Sequence, residues 1–373
     1  MSAIYIHIPF CKSKCAYCDF YSIANNTLLP DYVNSLLKEV NFQKKNFNHE
    51  IKTIYFGGGT PSLLSIKQIE KILTEIFNVF IVEKNPEISF EANPDDLSQE
   101  YLVALKAIGI NRLSIGIQSF SDEILKFLKR QHNSATAINS ILTAHKVGFN
   151  NISTDLIYGI DGQTNKQWQN DLKKILKFPI THLSAYHLGI EEKTLLQKYL
   201  LNGKINKMNE IQSFEQYKIL LEECKNNDFE QYEISNFAKY GFFSKHNYSY
   251  WNGTEYLGLG ASAHSFFENK RFWNIANVKT YMDNIFKNDC FYESENLSEK
   301  DRYNEFIMLG LRTTKGLFLK KLQENFNENF YTNFIQSLKQ INSKFYTIEN
   351  GFLKLNLDGM FVSDYIIQNL FKI

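Results

Sequence analysis

The sequence AIYIHIPFCKSKCAYCDF, residues 3–20, places a short apolar run directly before three closely spaced cysteines. The run Ile4–Ile8 is typical of a buried β-strand. Cys11, Cys15 and Cys18 follow it, and three thiolates this close together can bind three irons of a cubane 4Fe–4S cluster. No further cysteine lies close by, so the fourth iron would stay open to an external ligand. A tetrahedral zinc site is the alternative, although zinc sites usually show paired cysteines or histidine partners.

The composition fits a large globular protein and excludes several other classes. The 373 residues carry 41 Lys and Arg against 40 Asp and Glu, which is neither the basic surplus of a nucleic-acid-binding protein nor the charge excess of a disordered chain. No apolar run reaches the roughly 18 residues that cross a bilayer, and the first residues do not resemble a secretory signal. We therefore expect a cytoplasmic protein with no transmembrane segment and no nucleic-acid partner.

Six short apolar, β-branched runs alternate with amphipathic stretches over the first 190 residues. The runs are Ile4–Ile8, Lys52–Phe56, Glu87–Glu91, Arg112–Ile117, Ile152–Ile157 and His182–His187. The helical patterns cover about 31–46, 65–80, 98–108, 134–147 and 164–176, with Ser65 and Ser98 as candidate N-caps and Gly109 and Gly148 as candidate C-terminal stops. This alternation predicts a parallel sheet, either a doubly wound open sheet or a partial or full βα barrel.

Polar residues stand where the predicted strands end. Gly57-Gly58-Gly59-Thr60-Pro61 follows the second strand, and consecutive glycines let a backbone approach a ligand closely. The later strands also carry polar side chains at or near their ends: Glu91, Gln118, Asp155 and His187. Each of these alone fits an ordinary polar strand end. Because the C-terminal ends of parallel strands share one mouth, we expect a ligand site there.

The cysteine spacing resembles the signature of the radical S-adenosylmethionine (SAM) superfamily. The resemblance implies that the amino and carboxylate groups of SAM chelate the open iron, and that the reduced cluster can cleave SAM to a 5′-deoxyadenosyl radical. Longer motifs narrow the resemblance, over essentially the whole chain, to the oxygen-independent coproporphyrinogen III oxidase family. They are YIHIPFC at 5–11, GGGTPS at 57–62, SIGIQSF at 114–120, DLIYG at 155–159 and AYHL at 185–188.

That family has an enzyme branch and a heme chaperone branch, and this chain is more similar to the second. Only ten residues precede Cys11, and Phe20 stands where the enzyme branch has a fourth cysteine. The segments HNYSYW at 246–251 and GLGASA at 258–263 also resemble the chaperone branch. The resemblance implies a protein that binds heme and delivers it to an acceptor hemoprotein such as one of the respiratory chain. Oxidative decarboxylation of coproporphyrinogen III, in porphyrin metabolism, is the alternative.

The resemblance also implies which residues contact the ligands. The implied SAM contacts are Tyr5, Tyr17, Gly58, Gly59, Thr60, Glu91, Gln118, Arg130 and Asp155. Their chemistry fits, because glycine backbone and acidic groups suit the amino group, a guanidinium suits the carboxylate, and Gln or Asp suits ribose hydroxyls. His246 is a hypothetical heme ligand, since neutral imidazole is the usual protein ligand of heme iron. Packing of the aromatic loop over the barrel is the alternative for His246, and no catalytic residue is assigned.

The family implies an α/β fold: a partial (βα)6 radical-SAM barrel with a small, mostly helical C-terminal domain. We expect the barrel core at 1–235, an elaboration with the aromatic loop at 236–290, and the C-terminal domain at 291–373. The expected cofactors are the 4Fe–4S cluster and SAM, with heme as cargo. An acceptor hemoprotein is the expected partner, a homodimer is compatible with the sequence, and the electron donor is not identified.

Overall fold

The computed structural model describes residues 2–372. The strands are β1 Ser2–Ile8, β2 Ile51–Gly58, β3 Val82–Ala92, β4 Arg112–Gln118, β5 Ile152–Tyr158, β6 His182–His187, β7 Glu230–Glu233, β8 Asn236–Ala238, β9 Tyr256–Leu259, β10 His264–Phe267, β11 Lys270–Asn274, β12 Tyr292–Asn296, β13 Leu317–Phe318, β14 Tyr346–Glu349 and β15 Phe352–Leu355. The helices are α1 Leu29–Gln43, α2 Ile66–Val79, α3 Gln99–Ala107, α4 Asp122–Phe127, α5 Ser134–Val147, α6 Asn165–Ile175, α7 Leu195–Leu201, α8 Glu210–Lys225, α9 Lys245–Trp251, α10 Val278–Lys287, α11 Glu299–Leu311, α12 Leu319–Asn325, α13 Glu328–Gln340, α14 Leu357–Phe361 and α15 Ser363–Leu370.

One open sheet contains the first twelve strands. Its order is β12, β11, β10, β9, β1, β2, β3, β4, β5, β6, β8 and β7. The strands β1 to β6 lie side by side in chain order, and each pairs in parallel with the next. The strand β9 extends this run in parallel beside β1, whereas antiparallel strands complete both edges. The six predicted strands are therefore confirmed, each within a few residues of its predicted bounds.

The helices that follow the first parallel strands form one layer. Helix α1 contacts α2, α2 contacts α3, and α3 contacts α5. In a doubly wound sheet the strand order reverses at a switch point, whereas here it follows the chain from β1 to β6 without reversal. The partial-barrel prediction is confirmed, and the doubly wound alternative is wrong.

Local signals fix the predicted helix ends. Ser65 and Ser98 each accept a hydrogen bond from the backbone amide three residues further on, at the starts of α2 and α3. Gly148 ends α5 in the left-handed region, with a φ of 95°. Gly109 follows α3 with a φ of 99°. All four predicted end signals are therefore confirmed.

The two faces of the parallel strands differ in chemistry. Phe56, Phe90 and Ile115 are fully buried and belong to the apolar core shared with the helices. Side chains alternate between faces along a strand, and the alternate positions are largely polar. They include Thr53, Tyr55, Glu87, Glu91, Arg112, Ser114, Ser153, Asp155 and His182. The inner face of the partial barrel is thus polar, and its C-terminal rim carries the predicted site residues.

The chain from α11 onward is mostly helical, as predicted, with a small antiparallel sheet in the order β13, β15, β14. This part packs against α8. The Tyr217 hydroxyl donates to the Met360 sulfur at 3.8 Å, and the rings of Phe214 and Phe361 lie 4.9 Å apart. The domain boundaries after residues 235 and 290 stay predictions, and β8 and β12 just beyond them belong to the same sheet as β1.

Within residues 2–372, no helix combines the length and the apolar character needed to cross a membrane.

Candidate functional site

A cavity of about 440 Å³ opens at the C-terminal ends of β1 to β6. Its volume lies in the range of small-molecule sites. Most of the predicted site residues line it together: Cys11, Cys15, Tyr17, Cys18, Gly58, Gly59, Thr60, Glu91, Gln118, Arg130 and Asp155. Two predicted residues, Tyr5 and His246, do not line the cavity. The polar residues predicted at the strand ends therefore lie together in one concave site.

The cysteine loop is held at both ends and in its middle by backbone hydrogen bonds. The Cys11 amide donates to the Ile23 carbonyl at 3.0 Å, which closes the loop. The Ala16 amide donates to the carbonyl of Leu128, just after α4, at 3.1 Å, and the Leu196 amide in α7 donates to the Ala16 carbonyl at 3.0 Å. The two short helices α4 and α7, which the sequence did not predict, thus fix the loop that carries the thiols.

The thiols face one cavity, and two of them have polar partners there. The Thr60 hydroxyl donates to the Cys11 sulfur and the Arg130 guanidinium to the Cys15 sulfur, each at 3.5 Å. Burial raises the pKa of the Cys18 thiol to about 11, so bound iron would be needed to deprotonate it. In the described part of the chain, no three His, Cys, Asp or Glu side chains converge on a single metal ion. Thiols around a shared cavity fit a cluster better, because each thiolate binds a different iron.

The glycine motif at the end of β2 packs closely against β1 and the residues that lead into the cysteine loop. Gly58 has a φ of 107°, and a Cβ atom there would lie 2.6 Å from the His7 ring. A Cβ atom on Gly59 would lie 2.7 Å from the Phe10 carbonyl oxygen and 2.8 Å from the Ile8 carbonyl oxygen. Only glycine fits this approach, so the motif is more than an ordinary turn.

Two carboxyl groups, Glu91 on β3 and Asp155 on β5, line the cavity. The Tyr55 hydroxyl donates to Glu91 Oε1 at 2.7 Å, and burial raises the pKa of Glu91 to about 7. The Ser114 hydroxyl donates to Asp155 at 3.4 Å, and burial raises the pKa of Asp155 to about 6. In their deprotonated forms, both groups can accept hydrogen bonds from a ligand that carries N–H or O–H donors.

Arg130 is fixed in the cavity wall with unused donor capacity. Its Nη2 donates to the Asn93 side chain at 2.6 Å and to the Gly116 carbonyl at 2.8 Å. Its buried Nε has no partner among residues 2–372. An orphaned guanidinium N–H beside the thiols fits the carboxylate of a chelating amino acid. Gln118, opposite this group, has a φ of 67°, a strained conformation of the kind that functional sites retain.

The structure places Tyr5 beneath the cavity. Its hydroxyl lies 3.0 Å from His7 Nδ1, and His7 Nε2 lies 3.0 Å from the Tyr21 carbonyl oxygen. Tyr5 therefore supports the end of the cysteine loop through His7. Tyr17 lines the cavity itself and packs against the buried cluster of Ile124, Leu128, Ile157 and Ile160.

His246 lies at the opposite end of the barrel from the thiols and is fully buried. Its Nδ1 lies 2.8 Å from the Thr53 hydroxyl and its Nε2 lies 3.0 Å from the Tyr250 hydroxyl. Burial lowers the pKa of His246 to about 3, so the imidazole is neutral. The structure does not bring His246 to the cavity, and both of its ring nitrogens have partners.

Several cavity residues were missed by the sequence reasoning. Asn93 stands two positions after Glu91, so the same strand-end argument could have found it. Phe20 and Tyr186 line the rim of the cavity with 63% and 44% of their surface exposed. Lys12 forms ion pairs with Asp95 and Asp96 and ties the cysteine loop to the end of β3. No pattern in the sequence predicts the exposure of Phe20 and Tyr186 or the two ion pairs of Lys12.

Family models match two parts of the chain. Residues 5–175 match the model of the radical SAM superfamily, and residues 297–362 match the HemN C-terminal domain. The first match covers the cysteine loop and the strands from β1 to β5, and it ends before β6. A radical SAM domain implies a 4Fe–4S cluster and SAM as cofactors, and the matched residues include the three cysteines at the cavity.

Curated relatives match almost the whole chain. The heme chaperone HemW of Bacillus subtilis is 37% identical over 92% of this chain and 92% of its own length. The heme chaperone HemW of Lactococcus lactis is 35% identical over 88% of this chain and 86% of its own length. Among solved structures, coproporphyrinogen III oxidase (HemN) from Escherichia coli has a TM-score of 0.85. It is 20% identical over 100% of this chain and 90% of its own, a likeness that concerns the fold alone.

Proposed function

Because this chain belongs to the HemW heme chaperone family, we propose that it binds heme as cargo and delivers it to acceptor hemoproteins. The scaffold holds a 4Fe–4S cluster through Cys11, Cys15 and Cys18, with SAM on the remaining iron. The cluster and SAM support binding or transfer of the heme. The acceptors are proposed to be hemoproteins of the respiratory chain, and the protein is proposed to act in the cytoplasm.

The contacts with SAM remain a proposal that rests on the cavity. Glu91 and the glycine backbone suit the amino group, because both line the cavity with the thiols, and carboxylate and carbonyl oxygens accept hydrogen bonds. The free Nε of Arg130 suits the carboxylate, and Asp155 and Gln118 suit the ribose hydroxyls. The resemblance adds Tyr5, Tyr17, Gly58, Gly59 and Thr60 to this set. SAM, when bound, would supply the potential for radical chemistry.

One observation favours the chaperone over the oxidase: Phe20, two residues after Cys18, is 63% exposed on the rim of the cavity. The enzyme branch has a cysteine at this position. Tyr186, also exposed, lines the same rim. Two large aromatic side chains exposed on the rim of one cavity form an apolar surface, and their flat faces suit an apolar porphyrin. We propose this rim as the apolar support for heme.

His246 stays the proposed axial ligand of the heme iron, by resemblance. With both ring nitrogens engaged and no exposed surface, ligation would require α9 to leave the base of the barrel. Substitution of His246 by alanine tests this role. Unchanged heme affinity and an unchanged heme absorption spectrum would contradict it.

The function is tested by offering heme and coproporphyrinogen III in parallel to the anaerobically reconstituted protein. We expect a stable heme absorption band and no protoporphyrinogen IX. Formation of protoporphyrinogen IX would support the oxidase instead. Phe20→Ala and Tyr186→Ala should weaken heme binding, whereas Tyr240→Ala, at a tyrosine 88% exposed outside the cavity, is the matched control.

A homodimer is a further proposal, and the electron donor stays open. The division into a barrel core at 1–235, an elaboration at 236–290 and a C-terminal domain at 291–373 is likewise proposed. The family-model match at 297–362 supports the last boundary.

A further inference from the structure

We propose that His246 is a positioning residue for the amino-group end of the SAM site, because it supports Tyr55, which in turn orients Glu91. The inference rests on the proposed SAM site and concerns the conformation in which α9 closes the base of the barrel. It gives the HNYSYW segment a role that does not require contact with heme.

Tyr55 connects the two ends of the barrel interior. Its ring stacks on the His246 imidazole, with centroids 4.8 Å apart and an angle of 26° between the planes. Its hydroxyl donates to Glu91 Oε1 at 2.7 Å. One rigid side chain therefore links a group at the base of the barrel with a carboxylate in the cavity wall.

The Tyr55 ring is confined by neighbours on several sides. The Tyr5 ring lies on another side, with centroids 6.2 Å apart and planes at 27°. A Cβ atom on Gly57 would lie 2.9 Å from the Tyr55 ring and 3.2 Å from Glu91 Oε1. The ring is thus confined by Tyr5 and Gly57, and His246 stacks against it as well. Loss of the imidazole would open a space into which the Tyr55 ring can turn.

His246 is itself held rigidly. Its two ring nitrogens contact the Thr53 and Tyr250 hydroxyls, and its backbone amide donates to Glu87 at 3.0 Å. The Glu87 carboxylate also accepts from the Lys245 amide at 3.1 Å, so it caps the start of α9. These contacts join α9 to β2 and β3, the two strands that carry Tyr55 and Glu91.

The orientation of the Glu91 carboxylate affects the binding of SAM. Glu91 offers an acceptor to the amino group only if one carboxylate oxygen faces the cavity, and two hydrogen bonds orient this carboxylate, from the Tyr55 hydroxyl and from the Gly58 backbone amide. If His246 leaves its place, the Tyr55 ring loses its support and Glu91 keeps only the Gly58 contact, which orients it less firmly. Binding of heme to His246 and binding of SAM would then oppose each other, and the effect must be reciprocal.

The test measures SAM binding to the reconstituted protein by equilibrium dialysis, and the change that SAM produces in the electron paramagnetic resonance spectrum of the reduced cluster. We expect His246→Ala and Tyr55→Phe each to weaken SAM binding roughly 5- to 30-fold. The double variant should lose no more SAM affinity than the single variant with the larger loss, because both changes act through Glu91. His49→Ala is the matched control, because His49 is a partly exposed histidine outside the contacts that link His246, Tyr55 and Glu91.

Thermal unfolding separates this role from a purely structural one. A structural role alone would lower the melting temperature of His246→Ala and leave its SAM affinity and spectrum unchanged, and that result would overturn the inference. Tyr55→Phe removes one hydroxyl and keeps the ring, so it tests the same link if His246→Ala does not fold. Additive losses in the double variant would also overturn it. If the wild-type protein binds no SAM, the proposed cofactor site fails instead.

Discussion

The Gly59 amide donates a hydrogen bond to the Ile8 carbonyl oxygen at a distance of 2.9 Å. This contact joins the glycine motif after β2 to the end of β1, from which the cysteine loop departs. The residues proposed to bind the cluster and SAM therefore meet at one backbone junction. The cysteine loop and the glycine motif are two parts of one site that are separated in the sequence by about forty residues and are adjacent in the sheet.

Gly59→Ala should damage this junction. The new Cβ atom would lie 2.7 to 2.8 Å from two carbonyl oxygens of the backbone, which cannot rotate away. We expect SAM affinity to fall roughly 10-fold or more, because overpacking forces the two strands apart. Gly241→Ala is the control: its φ of 83° adds backbone strain, but nothing lies within 4 Å of its Cβ position. Equal SAM affinity in Gly59→Ala and wild type would refute the close-approach argument.

SAM binding should weaken as the pH falls. The pKa of Glu91 is raised to about 7 and that of Asp155 to about 6, both chiefly by burial. Below these values the carboxylates take up protons and accept hydrogen bonds from the ligand less well. We expect SAM affinity to decline from about pH 7 downward, by at most about tenfold per pH unit for each proton taken up. Glu91→Gln should remove the upper step of this profile, and a flat wild-type profile would count against both assignments.

Arg112 should set where that decline begins. This arginine is 1% exposed. Burial raises the pKa of Glu91 and of Asp155, and the positive charge of Arg112 partly offsets this rise. Two of its nitrogens have no hydrogen-bond partner within residues 2–372, so Met removes the charge without breaking a contact there. We expect Arg112→Met to move the decline in SAM affinity to higher pH. Arg112→Lys should keep the wild-type profile, and identical profiles for all three proteins would contradict the prediction.

Glu39 should make the stability of the fold depend on pH. Its buried carboxylate accepts hydrogen bonds from Gly260, Asn274 and Tyr281, and burial raises its pKa to about 7. Between its ordinary pKa of about 4.3 and 7, the folded chain holds a proton that the unfolded chain releases. Its contribution to stability is therefore lost as the pH rises through this window and is constant above it, on the order of a few kcal/mol in total. Glu39→Gln should flatten this part of the profile of melting temperature against pH. A variant with the wild-type slope would show that other groups cause it.

The sequence predicted the parallel strands and their helices well, for physical reasons. Each strand is a short β-branched run, and the capping residues Ser65 and Ser98 act within three residues of themselves. Helices α4 and α7 were missed because six or seven residues are too few to show an amphipathic repeat. Their packing on Ala16 is a contact between distant parts of the chain, which periodicity cannot reveal.

The site was predicted in its chemistry and only partly in its geometry. Strand ends located Glu91 and Asp155, but the exposure of Phe20 depends on the course of the loop after Cys18. His246 shows the limit most clearly. A histidine in an aromatic segment suggests a heme ligand, yet its partner Thr53 lies 193 residues away and buries it at the base of the barrel. Such long-range contacts decide the environment of a side chain and leave no local signal.

The central claim is that this protein delivers heme to an acceptor and does not convert a porphyrinogen. The most direct measurement follows the absorption spectrum of the heme-loaded, anaerobically reconstituted protein after addition of membrane vesicles that contain a heme-free respiratory hemoprotein. We expect the heme band of the chain to decrease while that of the acceptor appears, with no protoporphyrinogen IX formed from added coproporphyrinogen III. Heme that never reaches the acceptor, together with conversion of coproporphyrinogen III, would contradict the account.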